Sequence, residues 1–152
     1  MKEKALLPVL TEALAPFQPR FSEALDELVV TIEPQHLVEA CRLLKEDDRF
    51  TLDYLRCLSV VDYRDSLEVV YHLWSMGKRH KLVLKTRCPT ADPKVPSVVS
   101  VWRAADWLER EGHDLFGIRF EGHPNLKPLL LYEGFEGFPG RKDYPFYDYQ
   151  EW

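Results

Sequence analysis

Alternation is clearest from His80 to Arg87, where Leu82, Leu84 and Thr86 oppose Lys81, Val83, Lys85 and Arg87. That two-residue period predicts a strand with one face turned inward. Leu67 to Ser75 (LEVVYHLWS), rich in β-branched and aromatic residues, predicts its partner, with Met76-Gly77-Lys78-Arg79 as the turn. Leu25 to Ile32 (LDELVVTI) predicts another strand. Phe50 to Asp62 is mixed; as a strand it would set Leu52, Tyr54, Arg56, Leu58, Val60 and Asp62 on one side. Helical spacing shows first in residues 2–14, a short amphipathic segment stopped near Pro16 and Pro19. Pro34 opens a second helix, with Leu37, Cys41 and Leu44 on one face. These elements predict an α+β fold, a mainly antiparallel sheet packed against helices.

A third helix is predicted around Trp107, after a proline-rich loop from Cys88 to Pro96. At about 100° per residue, Ala104, Trp107, Leu108, Leu115 and Ile118 share one face. Arg103, Asp106, Glu109, Arg110, His113 and Asp114 share the other. Glu111 breaks the pattern, because it projects near the centre of the apolar stripe. A carboxylate there is paired, protonated, or facing a partner instead of a core. The expectation is a pair with Arg141, Lys142 or a cation of a partner subunit, so that Glu111→Ala costs more than Glu109→Ala. Gly112 inside the helix costs about 1 kcal/mol against Ala, which implies a close backbone approach there.

Six of the seven glycines lie between Gly112 and Gly140, so the last third reads as irregular backbone. Residues 132–152 hold eight of the nineteen aromatics without periodicity. The division is therefore residues 1–131 as the α+β domain and 132–152 as an aromatic-rich, extended C-terminal arm. That many aromatics argue against a solvated tail. Two readings stay open: the arm lies on another protein, or it wraps its own domain.

The length of 152 residues suits one domain with a sizeable core. A net charge of -5 without a basic stripe argues against nucleic acid as a partner. No apolar run approaches the roughly 20 residues that span a bilayer. The opening Met1-Lys2-Glu3-Lys4 reads as neither transit nor signal peptide. Cys41, Cys57 and Cys88 are odd in number and widely spaced, which argues against a disulfide framework and for a cytosolic address. The same spacing argues against a zinc or iron–sulfur site held by this chain alone.

Glu109 and His113 are spaced i, i+4, as helical metal ligands are, but no second pair accompanies them. A charged helix face is the plainer reading, with Arg110–Asp114 an i, i+4 pair worth about 0.3–0.5 kcal/mol if exposed. His72 and His80 read as strand residues at a surface or edge, and Gly122-His123-Pro124 as a turn. Arg141 and Lys142 are the only basic residues after Lys127, and an arginine there suits a bidentate contact with an acidic groove.

One arrangement resembles a family. Glu109-Arg110-Glu111 is followed after two residues by Asp114-Leu115-Phe116, after six more by His123, and then by Lys127 and Leu129-Leu130. This resembles the signature of the 30 kDa subunit of respiratory complex I, the C-type subunit of NADH-quinone oxidoreductase in bacteria. Pro96-Ser97-Val98, Ala105-Asp106-Trp107, Gly122-His123-Pro124 and Arg141-Lys142-Asp143-Tyr144-Pro145 extend the likeness. It is close from Pro96 to Pro145 and rests upstream on the order of elements. The chain departs at Glu133-Gly134-Phe135, where the family commonly has an acidic pair then Trp. It departs again at Gly137-Phe138-Pro139-Gly140, where Gly-His-Pro-Leu is common. The aromatic and turn character is kept, and the branch of the family stays open.

The resemblance implies a cofactor-free subunit of the hydrophilic arm, without catalytic residues, on the cytoplasmic side of the bacterial inner membrane and attached through the complex. FMN, iron–sulfur clusters and quinone would sit in partner subunits, the nearest being the 49 kDa-like subunit. The absence of a Gly-x-Gly-x-x-Gly loop, a Walker loop and a cysteine cluster agrees with that. Partner contacts are expected of Glu109, Arg110, Glu111, Asp114, His123, Lys127, Arg141, Lys142, Asp143 and Tyr144. Three functions follow: a scaffold of a proton-pumping NADH-quinone oxidoreductase, the equivalent subunit of a membrane-bound nickel–iron hydrogenase or related quinone-reducing complex, or a free-standing metal enzyme using the Glu/His/Asp cluster.

Overall fold

The computed structural model describes residues 2–25 and 27–145, with side chains from Ala5 onward. Its elements are α1 (Lys2–Leu14), β1 (Arg20–Ala24), β2 (Glu27–Thr31), α2 (Leu37–Glu46), β3 (Tyr54–Asp62), β4 (Ser66–Trp74), β5 (Lys81–Pro89), β6 (Lys94–Pro96), α3 (Ala105–Phe116) and β7 (Arg119–Glu121). The five main strands form a mixed sheet in the order β1-β2-β5-β4-β3. Every neighbouring pair in it is antiparallel except β2 with β5. The α+β expectation therefore holds.

The hairpin of β4 and β5 pairs from Ser66–Pro89 to Trp74–Lys81, as the alternation predicts. Leu67, Val69, Tyr71 and Leu73 of β4 and Leu82 and Leu84 of β5 enter the main core. Leu10 and Leu14 of α1 and Leu37, Ala40, Cys41 and Leu44 of α2 join them, so the helices supply one wall of that core. On the opposite face Val29, Val70 and Val83 form a small separate cluster. Charged chains flank it: Lys81 Nζ lies 2.7 Å from Glu27, and Arg87 Nε 2.6 Å from the buried Glu68. Among the described residues this face carries no helix, and the long stems of these side chains shield its valines.

Four local readings need correction. Leu25 lies beyond β1 with φ 51° and is 98% exposed, so the strand predicted from it starts at Glu27. β1 itself was not predicted, because an edge strand with mostly exposed residues shows no apolar alternation. In β3 the register shifts between Leu55 and Cys57, which places Leu55 and Leu58 inward and leaves Tyr54 and Arg56 exposed. His80 is buried, its Nε2 2.6 Å from the Phe50 carbonyl, not a surface residue.

The predicted loop after Cys88 contains β6, which pairs in parallel with β7 across α3. That crossover holds α3 against β3, where a Cβ on Gly112 would meet Val60 and the Phe120 ring at 3.3 Å. The close approach expected of backbone at Gly112 is made instead by side chains. At the end of α3, Gly117 takes the left-handed conformation (φ 75°), and its N–H donates to the His113 carbonyl. The Phe138 ring covers it at 2.7 Å from the position a Cβ would take. Gly117→Ala is expected to cost about 2 kcal/mol or more, from the left-handed backbone and the displaced ring. A lower thermal midpoint checks this; an unchanged midpoint refutes it.

Candidate functional site

The signature residues fall on three sides of α3. The side against the sheet is built from small residues and one acid: Ala105, Glu109 and Gly112 are all buried. Glu109 is 0% exposed. Its Oε1 accepts the Val98 N–H at 2.7 Å, and its Oε2 accepts the Ser97 hydroxyl at 2.6 Å. The Ser97 oxygen also accepts the Val99 N–H at 3.2 Å. One carboxylate thereby fixes the loop leaving β6 onto the helix. Burial raises its pKa above the ordinary glutamate value, against the lowering effect of these two hydrogen bonds.

A second side holds the segment after β7. Arg110 donates from Nε to the Lys127 carbonyl at 3.0 Å and from a terminal nitrogen to the Pro128 carbonyl at 2.9 Å. Asp114 receives the N–H groups of Leu129, Leu130 and Leu131 at 2.7, 2.8 and 3.3 Å with one oxygen. The predicted Arg110–Asp114 ion pair is therefore replaced. Each side chain serves the backbone of residues 127–131, one as donor and the other as acceptor. Burial pushes the Asp114 carboxyl up, but the three N–H groups outweigh it and hold the carboxyl below its usual range. His123, whose side chain is fully buried, accepts the Asn125 N–H on Nδ1, so its proton is on Nε2. That nitrogen lies 3.0 Å from the Asp106 carbonyl and 3.1 Å from the Asp106 carboxylate.

The C-terminal end of α3 is closed by residues far along the chain. Gly140 N–H donates to the Leu115 carbonyl at 2.8 Å, and Arg141 Nε to the Phe116 carbonyl at 2.7 Å. Arg141 also stacks over Phe138 at 4.9 Å. A cation at a helix C-terminus is favoured by the helix dipole. Lys142 contributes its backbone, whose N–H donates to Asp62 at 2.8 Å. That bond is the largest cause holding Asp62 below the usual carboxylate range. Tyr144 is half-buried against Gly137, and the Phe135 ring stacks on it at 6.3 Å between centroids. Asp143 and Lys127 are exposed. Phe138, Gly140, Arg141 and Lys142 thus touch the domain at α3 and β3, and residues 146–152 lie outside the described ones.

Glu111 corrects the reading of the helix face. It is exposed, with no ion pair among the described residues, neither to Lys142 nor to Arg141, whose guanidinium donates to the Phe116 carbonyl. The apolar stripe on which it sits is not the buried one, for Trp107 is 67% exposed. Leu108, Glu111, Leu115 and Phe116 face Cys57 to Val60 of β3 across a groove of about 280 Å³.

Glu109 and His113 do not converge, since His113 Nδ1 lies 2.8 Å from the Ile118 carbonyl. Among the described residues no three His, Cys, Asp or Glu side chains are grouped as metal ligands would be. The arrangement binds backbone, and Glu109 is sealed from any reactant. The sequence reading missed the functional use of Ser97, Asp106 and Asp62. Ser97 bonds the Glu109 carboxylate and the Val99 N–H, Asp106 faces the His123 ring, and Asp62 accepts backbone N–H groups, pairings that no spacing in the sequence announces.

Comparison with known proteins bears on the same stretch. The family model described as respiratory-chain NADH dehydrogenase, 30 kDa subunit, matches residues 30–150. A C-type subunit of the NADH-quinone oxidoreductase of Rhizobium etli is 41% identical over 148 residues, covering 90% of this chain and 78% of that protein. Among solved structures, a trypsin-resistant fragment of Nqo5 superposes with a TM-score of 0.67 at 30% identity, covering 80% of this chain and 98% of the fragment. A chain of an archaeal membrane-bound sulfane sulfur reductase superposes with a TM-score of 0.80 over 95% of this chain and 86% of its own, and at 24% identity it shows the shared fold.

Proposed function

The chain belongs to the 30 kDa subunit family of the respiratory-chain NADH dehydrogenase, and on that premise we propose that it is a scaffold subunit in the peripheral arm of NADH-quinone oxidoreductase. The complex carries electrons from NADH through FMN and iron–sulfur clusters to quinone and couples this to proton translocation; this chain shapes that route without holding a cofactor. Its neighbour is the 49 kDa-like subunit, and its place is the cytoplasmic side of the bacterial cell membrane, reached through the complex. No helix among the described residues is long and apolar enough to cross a membrane, which is compatible with a peripheral position.

One observation carries the reading. The signature side chains Glu109, Arg110 and Asp114 bind largely this chain's own backbone, while on the apolar stripe of the same helix Trp107 is left exposed and Leu108 and Leu115 are only partly buried. Such an arrangement supports a rigid part with a surface made for another protein, and gives no support to a reaction centre.

Mass spectrometry of the assembly purified with this chain from gently solubilised membranes tests the proposal. The expected companions are NADH- and FMN-binding subunits together with the 49 kDa-like subunit. Nickel–iron hydrogenase subunits in their place overturn it, as does recovery of the chain alone.

A further inference from the structure

The partly exposed stripe of α3 and the outer edge of β3 lie side by side. β3 is the last strand of the sheet, pairs with β4 on one side, and has no strand on the other among the described residues. An open edge presents unpaired N–H and C=O groups, which is a template for an added strand. Cys57 to Val60 of that edge form one wall of the groove, and Leu108, Glu111 and Leu115 form the other. Glu111 is the one charged residue among those lining it.

Spacing sharpens the fit. Trp107, Glu111 and Leu115 follow one another every four residues, about 6 Å along a helix. Alternate residues of a strand are about 6.7 Å apart and point the same way. An extended segment laid on β3 would therefore set two alternate side chains opposite Glu111 and Leu115 of the groove wall, and the next toward Trp107, which stands one turn before Glu111 and outside the lining residues. The outer two would meet apolar surface and the middle one a carboxylate.

Resting on the proposed role as a complex subunit, we infer that this groove receives an extended segment of a partner subunit, which adds a strand to β3 and carries a Lys or Arg flanked at two residues' distance by apolar side chains. The cation meets Glu111, which has no cation of its own among the described residues. The exposed carboxylate at the middle of an apolar wall selects for that charge, since an apolar or acidic residue there would leave it unpaired as water is excluded. Trp107, 67% exposed, supplies the aromatic anchor at one end.

The test places benzoylphenylalanine at Ser59 in the full chain, expressed in its own cells and irradiated in intact membranes before the complex is purified. The expected result is a crosslink to another subunit, within two residues of a Lys or Arg. Its yield should fall at least five-fold in Glu111→Gln and persist in Glu111→Asp. Labelling of Cys57 by a maleimide in the assembled complex should rise at least ten-fold in Glu111→Gln. An unchanged thermal unfolding curve of that variant separates docking from folding. A crosslink into a second copy of the chain, or into residues 146–152 of the same chain, overturns the inference and leaves the subunit assignment standing. So does a crosslink yield indifferent to Glu111→Gln, or rapid labelling of Cys57 in the unaltered complex. A chain recovered free of any complex overturns both.

Discussion

Asp114→Ala is expected to lower the unfolding free energy by about 3 kcal/mol and to release residues 129–131 from α3. The position explains the size. An acid two residues from the end of a helix opposes the helix dipole, so nothing local recommends it. It is held there by tertiary contacts, three N–H groups converging on one nearly buried oxygen. Hydrogen bonds to a charged group contribute about 1.5–3 kcal/mol each, and losing the acceptor leaves the donors partly unsatisfied. Amide exchange at Leu129, Leu130 and Leu131, with chemical unfolding, reads the effect. A loss under about 0.5 kcal/mol with unchanged exchange would show that Arg110 alone holds the segment.

The pH dependence of Asp114 has a definite sign. Its folded pKa lies below the ordinary value of 3.8. Its contribution is therefore complete above that ordinary value and is lost as the pH falls through the folded one. Asp114→Asn should flatten the acid limb of the stability curve.

Glu109→Ala is expected to cost about 3–4 kcal/mol, whereas Glu109→Gln should stay within about 1 kcal/mol of the parent. Alanine leaves a void and strands the Val98 N–H and the Ser97 hydroxyl in the interior. Glutamine keeps an acceptor for Val98 and offers the Ser97 oxygen an N–H, without a buried charge. Burial raises the Glu109 pKa above 4.5. Its stabilising contribution is therefore complete below 4.5 and declines as the pH rises through the folded value. Glu109→Gln should abolish that decline, opposite in sign to the Asp114 effect. Thermal unfolding of both variants between about pH 4 and 8 checks the pair, and equal losses for Gln and Ala would refute the hydrogen-bonding account. For fold stability the order expected from the helical wheel is thus reversed, since Glu109 is buried and Glu111 exposed.

That reversal marks how far the sequence could be read. The presence of α2, which starts at Leu37 after a 3-10 turn at Pro34, and the approximate extents of β4, β5 and α3 follow from their periodicities, because each repeats one spacing for several turns or pairs. The face of α3 does not follow, because a helical wheel assigns the core to the most apolar stripe. Here the buried stripe is Ala105, Glu109 and Gly112, chosen for closeness and for one satisfied carboxylate, and its apolar neighbour is only partly covered, with Trp107 and Glu111 exposed. β3 was half legible, since a bulge at Leu55–Cys57 turns the alternation over partway along. β6 and β7 have three residues each and pair across an intervening helix, so neither carries a pattern of its own. The charged signature was legible as a resemblance. Its use was not, because Arg110, Asp114 and Glu109 act largely on main-chain groups, which look alike in every sequence.

The clasp at the end of α3 also bears on the order of events during synthesis. Asp62 emerges from the ribosome 80 residues before the Lys142 N–H that it will hold. The Leu115 and Phe116 carbonyls likewise wait for Gly140 and Arg141. Until then the helix has a frayed end and β3 an unanswered acid, and closing so long a loop is slow. The nascent domain therefore stays open at one corner until its aromatic segment has been translated, and that closure comes late in folding.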